Sequence, residues 1–290
     1  MQLFALDQNK KLVPAGYASR QYDYQCLECE AIVRVRAGAH RRVHFYHLKN
    51  ATGCSLHQKS MEHIQVQSFL FEILPPRDCT LEQPFPEVKR IADVAWFSQK
   101  LVFEIQCSPI SALEVQSRNE DYQKCGYQVV WILHEQTFNQ RRLSAAEQFL
   151  GDSPHYFTNM NEDGEGMIYD YYALIEANRR THRLAHFAVQ LNQPYRYPEV
   201  SPKVIPIKEM AKRVQSWNFY FSGDLFDLFS KKEDFAKHEA YFAEIYRMEQ
   251  QAFSKIPKPQ PVSNFYNFID RFLIRPYLLL LQIFIEKHCR

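Results

Sequence analysis

The chain has 290 residues, 46% hydrophobic and 14% aromatic, which leaves room for two or three domains and supplies enough apolar material for a sizeable core. A formal net charge of +2 means that partner type must be read from local clusters, and 8 glycines with neither a G-x-G-x-x-G nor a Walker pattern argue against a glycine-rich phosphate loop. The start, Met1-Gln-Leu-Phe-Ala-Leu-Asp-Gln, lacks the basic and long apolar regions of a signal peptide. Seven cysteines in that setting fit a reducing compartment and metal binding better than a disulfide framework. The longest apolar run, Leu278 to Ile285, is too short to span a bilayer, so a cytoplasmic protein without a membrane span is expected.

Residues 1–58 read as a first unit. Cys26-Leu-Glu-Cys29 is a thiolate pair at zinc-knuckle spacing, followed by the apolar-basic alternation Ile32-Val-Arg34-Val-Arg36 of a strand. Gly38 breaks it, a second strand runs from Arg42 to Tyr46, and His47 and Cys54 complete a set of four ligands. Two short hairpins around such a set form a zinc-ribbon-like β unit, in which structural zinc holds a segment too small for its own core. His44 and His57 lie nearby as rivals. His47 is preferred because it ends the strand, within reach of Cys54.

Ser60 is the N-cap of a helix that carries Glu62 and His63, continues through the apolar stretch Phe69 to Leu74 and stops at Pro75-Pro76. A short strand runs from Cys79 to Phe85. The stretch Arg90 to Ser111 then reads as two strands joined by a turn around Ser98-Gln99-Lys100. If Ser98-Gln99 is the loop, Asp93 lies opposite Glu104; if Gln99-Lys100 is the loop, it lies opposite Gln106. Either register puts Asp93 and Glu104 on one face, where like charges repel. A magnesium or manganese ion would offset that cost. Asp93→Asn is therefore expected to leave stability unharmed or to raise it. Ordinary solvated acids on a half-exposed hairpin are the plainer reading, but Asp, Glu and Gln where a buried strand should be apolar is a breach of pattern expected of a functional site.

Ser111-Ala-Leu-Glu114 is a capping box opening a helix that stops at Gly126 in the C′ position, and Gln128 to Leu133 is a buried strand. Residues 59–150 thus follow the order α, β, β, β, α, β. Residues 151–290 read as a mainly α-helical region. It comprises a helix from Asp170 to Val189 with Arg179, Arg183 and His186 on one face, helices from Phe219 to Phe253 and Phe265 to Lys287, and the Pro-rich connectors Pro194 to Pro206 and Pro257 to Pro261.

On Cys26-x-x-Cys29, His44-Phe-Tyr-His47 with Cys54, Glu62-His63, Asp93-Val and above all Glu104-Ile-Gln-Cys-Ser-Pro-Ile-Ser111, the chain resembles the competence CoiA-like family. Arg118, Tyr122 and Val130-Trp-Ile-Leu133 continue a resemblance that covers residues 20 to 135. It implies an α/β fold with a restriction-endonuclease-like core of the PD-(D/E)xK superfamily, whose element order matches, and a role in handling DNA taken up during natural transformation. On that footing Asp93 and Glu104 would hold Mg²⁺ or Mn²⁺ with the Ile105 carbonyl, and Glu62 would reach a metal-bound water. Gln106 stands where the superfamily has lysine. It can orient a water but brings no charge, which leaves Lys124 or Arg118 to supply it. DNA contacts are expected to be sequence-independent and to involve Arg34, Arg36, Arg118, Arg179 and Arg183. The expectation is a metal-dependent deoxyribonuclease, with recombination proteins as further partners. Its rivals are a DNA-binding or recombination-accessory protein with a nuclease-like fold, and a purely structural scaffold.

Overall fold

The alternation from Ile32 to Arg36 does form a strand, within a five-stranded antiparallel sheet near the N-terminus. Its strands are β1 (Phe4–Leu6), β2 (Leu12–Pro14), β3 (Tyr24–Gln25), β4 (Ile32–Gly38) and β5 (Arg41–His47), ordered β2-β1-β3-β4-β5. Val33 and Val35 enter a small core with Ala5, Tyr24 and Phe45, while Arg34 and Arg36 face outward, as a period of two requires. The computed structural model describes residues 1–38, 41–51, 53, 54, 56–254, 269, 273, 274 and 277. The chain divides into two units, Met1–Ile245 and Tyr246–Arg290.

Helix α1 (Met61–Ile73) begins where the Ser60 hydroxyl accepts from the His63 amide at 3.3 Å, and it ends just before Pro75-Pro76. Strands β6 (Cys79–Phe85), β7 (Arg90–Trp96) and β8 (Leu101–Gln106) follow as an antiparallel meander. Helix α2 (Ala112–Lys124) crosses over to β9 (Gln128–His134), which pairs parallel to β8. The α, β, β, β, α, β order is therefore present. At the start of α2 only half of the expected capping box forms. Ser111 accepts from the Glu114 amide, but the Glu114 carboxylate turns to Arg90 and Arg118, at 2.8 and 2.9 Å. Gly126 sits just past the helix with φ +79°, the left-handed position that favours glycine.

The sheet does not stop at residue 150. Helix α3 (Ala145–Leu150) leads to β10 (His155–Thr158), parallel to β9, and then come β11 (Ile168–Glu176) and β12 (Arg179–Ala188). The seven strands are ordered β12-β11-β10-β9-β8-β7-β6. One face buries Val94, Phe103, Ile105 and Ile132 against Val66 and Leu70 of α1. The other buries Val102, Trp131 and Leu133 against Val115 and Tyr122 of α2 and Leu150 of α3. This is a layered α/β arrangement with a mixed sheet at its centre.

The helix expected from Asp170 to Val189 is instead the hairpin β11–β12. A spacing of four, as between Arg179 and Arg183, fits one helical turn and two strand pleats equally well, so the basic spacing could not choose between them. The turn decides. Ala177 and Asn178 both have positive φ, +47° and +62°, the conformation of a two-residue hairpin loop whose twist suits the flanking strands. The expected helix from Phe219 to Phe253 is likewise broken. After β13 (Gln190–Arg196) and α4 (Lys208–Ser216) come β14 (Phe219–Ser222), paired with β13, then α5 (Leu225–Ser230) and α6 (Lys232–Ser254). At Gly223 φ is +83°, and a Cβ there would stand 2.4 Å from the Ala188 carbonyl oxygen; Asp224 then caps α5. The region after residue 150 is thus mixed rather than mainly helical. The Pro257 to Pro261 connector lies outside the described residues, as does almost all of the helix expected from Phe265 to Lys287, including the run Leu278 to Ile285. Among the described residues no helix is long and apolar enough to cross a membrane.

Candidate metal centre and candidate active site

The four N-terminal ligands come together. Cys26 follows β3 and Cys29 stands in the turn before β4. His47 ends β5, and Cys54 lies in the loop beyond it. Their ligand atoms all lie within 4.8 Å of one another. The Cys26 and Cys54 sulfurs are 3.7 Å apart, and His47 Nε2 is 3.3 Å from Cys29 Sγ and 3.6 Å from Cys54 Sγ. A tetrahedron with metal–ligand bonds of about 2.0–2.3 Å has edges of roughly 3.3–3.8 Å, so three thiols and an imidazole at this spacing fit zinc. His44 does not enter the set, and its Nδ1 sits 2.8 Å from the Arg42 carbonyl oxygen. His57 meets the His47 ring edge-on at 4.9 Å instead of joining the set. Burial, and then the adjacent Cys26, push the Cys54 thiol up. Crowded thiols of this kind become a stable thiolate set only around a cation. The cluster can hold a structural metal such as zinc.

The second cluster lies where β7 and β8 part. Trp96 faces Leu101 and Val94 faces Phe103, the first of the two registers considered, which points Asp93 toward Glu104. The ladder ends there, however. The Ile105 amide donates to Asp93 Oδ2 at 2.8 Å, so a carboxylate takes the place of a ladder acceptor. Asp93 Oδ1 accepts from Lys59 Nζ at 2.7 Å and lies 2.9 Å from His63 Nε2. Gln67 Nε2 donates to the Asp93 backbone carbonyl at 2.8 Å. Burial opposes the charge on Asp93, but His63 and Lys59 outweigh it and hold the carboxyl well below the usual range. Lys59 keeps its charge for the reciprocal reason: burial is outweighed by Asp93 and by Glu82, the latter at 3.2 Å. Glu82 is itself buried and accepts from the Leu3 and Phe4 amides at 3.1 and 3.0 Å, which ties β1 to this network.

Glu104 is answered from the α2 side. Arg118 Nη1 donates to Oε2 at 2.5 Å and the Tyr122 hydroxyl to Oε1 at 2.7 Å. Only 1% of Glu104 is exposed, and burial pushes its carboxyl up despite Arg118. The like-charge repulsion inferred from the strand pattern is thus offset by Lys59 and Arg118. This removes the reason to expect that Asp93→Asn would be harmless. The case rested on an uncompensated pair, and the pair is compensated.

A cavity of about 240 Å³ opens beside these groups, lined by Lys59, Glu62, His63, Asp93, Gln106 and Arg118 among others. Glu62 and Gln106 thus share the cavity wall with Asp93. Gln106 Nε2 donates to the Ser108 carbonyl at 2.7 Å. Lys124 does not join them. It is exposed, pairs with Asp121 at 2.9 Å and lies two positions beyond Tyr122, on the far side of the helix. Of the expected DNA-binding residues, Arg34 is half-exposed and paired with Asp23 at 2.5 Å, and Arg36 is exposed. Arg118 is committed to Glu104 and Glu114. Arg179 and Arg183 are exposed on β12, an edge strand, whereas Arg180 between them is buried against Glu147 at 2.8 Å. Sequence reasoning missed Lys59, His63 and Glu82 as partners of Asp93. The one local signal was His63, next to Glu62 behind the Ser60 cap.

The protein is thus an α/β protein with an N-terminal Cys/His cluster and two buried carboxylates at the parting of β7 and β8. The family model described as competence protein CoiA, nuclease-like domain, matches residues 59–217, more than half of the chain, and the chain belongs to that family. A second model, a domain of unknown function (DUF7830), matches residues 13–61 and spans all four ligands of the cluster. No curated protein and no solved structure matches the chain.

Proposed function

We propose that the protein is a metal-dependent nuclease that cleaves DNA phosphodiesters during uptake or recombination in natural transformation. The observation that carries this reading is the pair Asp93 and Glu104, buried and charge-compensated beside a cavity within the nuclease-like domain. Hard oxygen donors suit Mg²⁺ or Mn²⁺, and capacity remains. Asp93 Oδ2 and each Glu104 oxygen meet one donor apiece, which leaves each a lone pair. Asp93 and Glu104 would hold the ion, with Glu62 at the cavity wall. When bound, such an ion polarises a phosphodiester and lowers the pKa of a water. The chain's own part is to keep Asp93 ionised through Lys59 and His63, and to offer the Gln106 amide to orient a water. Zinc is the ion proposed for Cys26, Cys29, His47 and Cys54, in a structural role.

DNA is the proposed partner, gripped without base readout by the exposed arginines Arg36, Arg179 and Arg183. A second reading, a DNA-binding protein of nuclease-like fold that does not hydrolyse, draws on the uncharged Gln106 and on the hold of Arg118 and Tyr122 on both Glu104 oxygens. Cleavage of single- and double-stranded DNA with added Mg²⁺ or Mn²⁺ separates the two. The nuclease reading expects cleavage by the wild type and its loss in Asp93→Asn at temperatures where the variant is folded. DNA binding with no cleavage in either metal would establish the second reading.

A further inference from the structure

Resting on the nuclease reading, we propose that Lys59 is the residue that presents positive charge to the scissile phosphate, the role that Gln106 cannot fill. Phosphoryl transfer builds negative charge on the phosphate oxygens, and a fixed cation aimed at them is among the larger contributions a site can make. Lys59 and Arg118 both line the cavity, but they are not equally available. Arg118 spends its guanidinium on Glu104 and Glu114. Lys124 is turned away to Asp121.

Lys59 differs in two ways. Its ammonium touches the same Asp93 oxygen that His63 meets, so it sits at the carboxylate rather than near it. Of its three N–H donors, one goes to Asp93 and one to Glu82, and among the described residues no third acceptor meets it.

The route by which Lys59 reaches the site is unusual. It is not borne by β8, where Gln106 lies, but by the short segment between Cys54 and the Ser60 cap, through the turn Leu56–Gln58. Glu82, its second partner, is anchored by the amides of Leu3 and Phe4. Lys59, at the junction of the N-terminal unit and the nuclease-like core, therefore brings its charge into the core from that side. That gives the N-terminal unit a part in the site itself, beyond its own folding.

The alternative is that Lys59 is only a structural counterion for Asp93 and Glu82. The test uses the full chain and four proteins: wild type, Lys59→Gln, Lys59→Gln with Glu82→Gln, and Lys59→Gln with Gln106→Lys. The second variant removes a buried charge of each sign and so guards against misfolding. Cleavage of labelled DNA with Mg²⁺ or Mn²⁺, thermal midpoint, and affinity for a short duplex without added divalent ion are measured on each. Losing one charge stabiliser should lower the cleavage rate by roughly 10²–10³-fold in Lys59→Gln and in Lys59→Gln with Glu82→Gln. Duplex affinity should fall and its salt slope flatten by about one ion. Gln106→Lys should restore at least tenfold of the rate, which a purely structural counterion would not allow. Wild-type cleavage and duplex affinity in the folded Lys59→Gln/Glu82→Gln protein would overturn the proposal while leaving the nuclease reading intact. Absence of cleavage by the wild type would overturn both.

Discussion

Replacing Asp93 by Asn tests the charge network directly, because two accounts of the site give opposite signs. Were Asp93 and Glu104 an uncompensated like-charge pair, neutralising one would stabilise the fold. In the structure Asp93 accepts from Lys59 and from Ile105 and faces His63, all within 2.9 Å, and it is only 5% exposed. An Asn amide must set its NH₂ against either the Ile105 amide or the Lys59 ammonium, leaving a buried donor without an acceptor. Removing one partner of a buried ion pair costs about 3–5 kcal/mol. Glu82 remains to Lys59, so the lower end applies, about 3 kcal/mol. For a unit of this size that corresponds to a fall in melting temperature of roughly 6–12 °C. The assay is urea and thermal unfolding at pH 7 without added divalent ion, with Glu62→Gln as a control on the same cavity. Folded Asp93 titrates well below its ordinary 3.8, so its contribution is present above that value and is lost as pH falls through the folded pKa. The wild-type advantage should therefore shrink in acid. An Asp93→Asn protein as stable as wild type, or more stable, would refute the network and restore the repulsion account.

Metal analysis of the protein purified without added metal should find about one zinc per chain. Cys26→Ser should lose it and, because β1 is tied to Glu82 and Glu82 to Lys59, should also lower the stability of the nuclease-like core; a core that melts unchanged would show that the two parts are independent. Charge reversal at both Arg179 and Arg183 should weaken binding equally for unrelated DNA sequences and flatten its salt dependence, and unchanged affinity would assign this edge strand to another role. Burial, reinforced by Arg213, holds His155 below its ordinary 6.5, so the folded state binds fewer protons there than the unfolded chain does. Stability should accordingly fall as pH drops below 6.5, and His155→Gln should flatten that slope in unfolding measurements between pH 5 and 7.

What the sequence determined alone was whatever its local periods and punctuation encode. Ser60 and the Pro75-Pro76 stop delimit α1, and Ser111 and Gly126 delimit α2. Alternation marks β4, β7 and β8, and the Cys26–Cys29 spacing with His47 and Cys54 marks the Cys/His cluster. Such signals act over a few residues and survive in any tertiary setting. Where two periods coincide the sequence was ambiguous. Arg179 and Arg183 fit helix and strand alike, and only pairing with β11, closed by Ala177 and Asn178 at positive φ, made the strand. The partners of the two carboxylates were beyond reach for a different reason. Lys59, Glu82 and Arg118 come from a connector, a neighbouring strand and a crossover helix, and no local pattern marks which charged residue will face which. That choice is made when the sheet closes and the interior becomes too apolar to hold Asp93 or Glu104 unpaired.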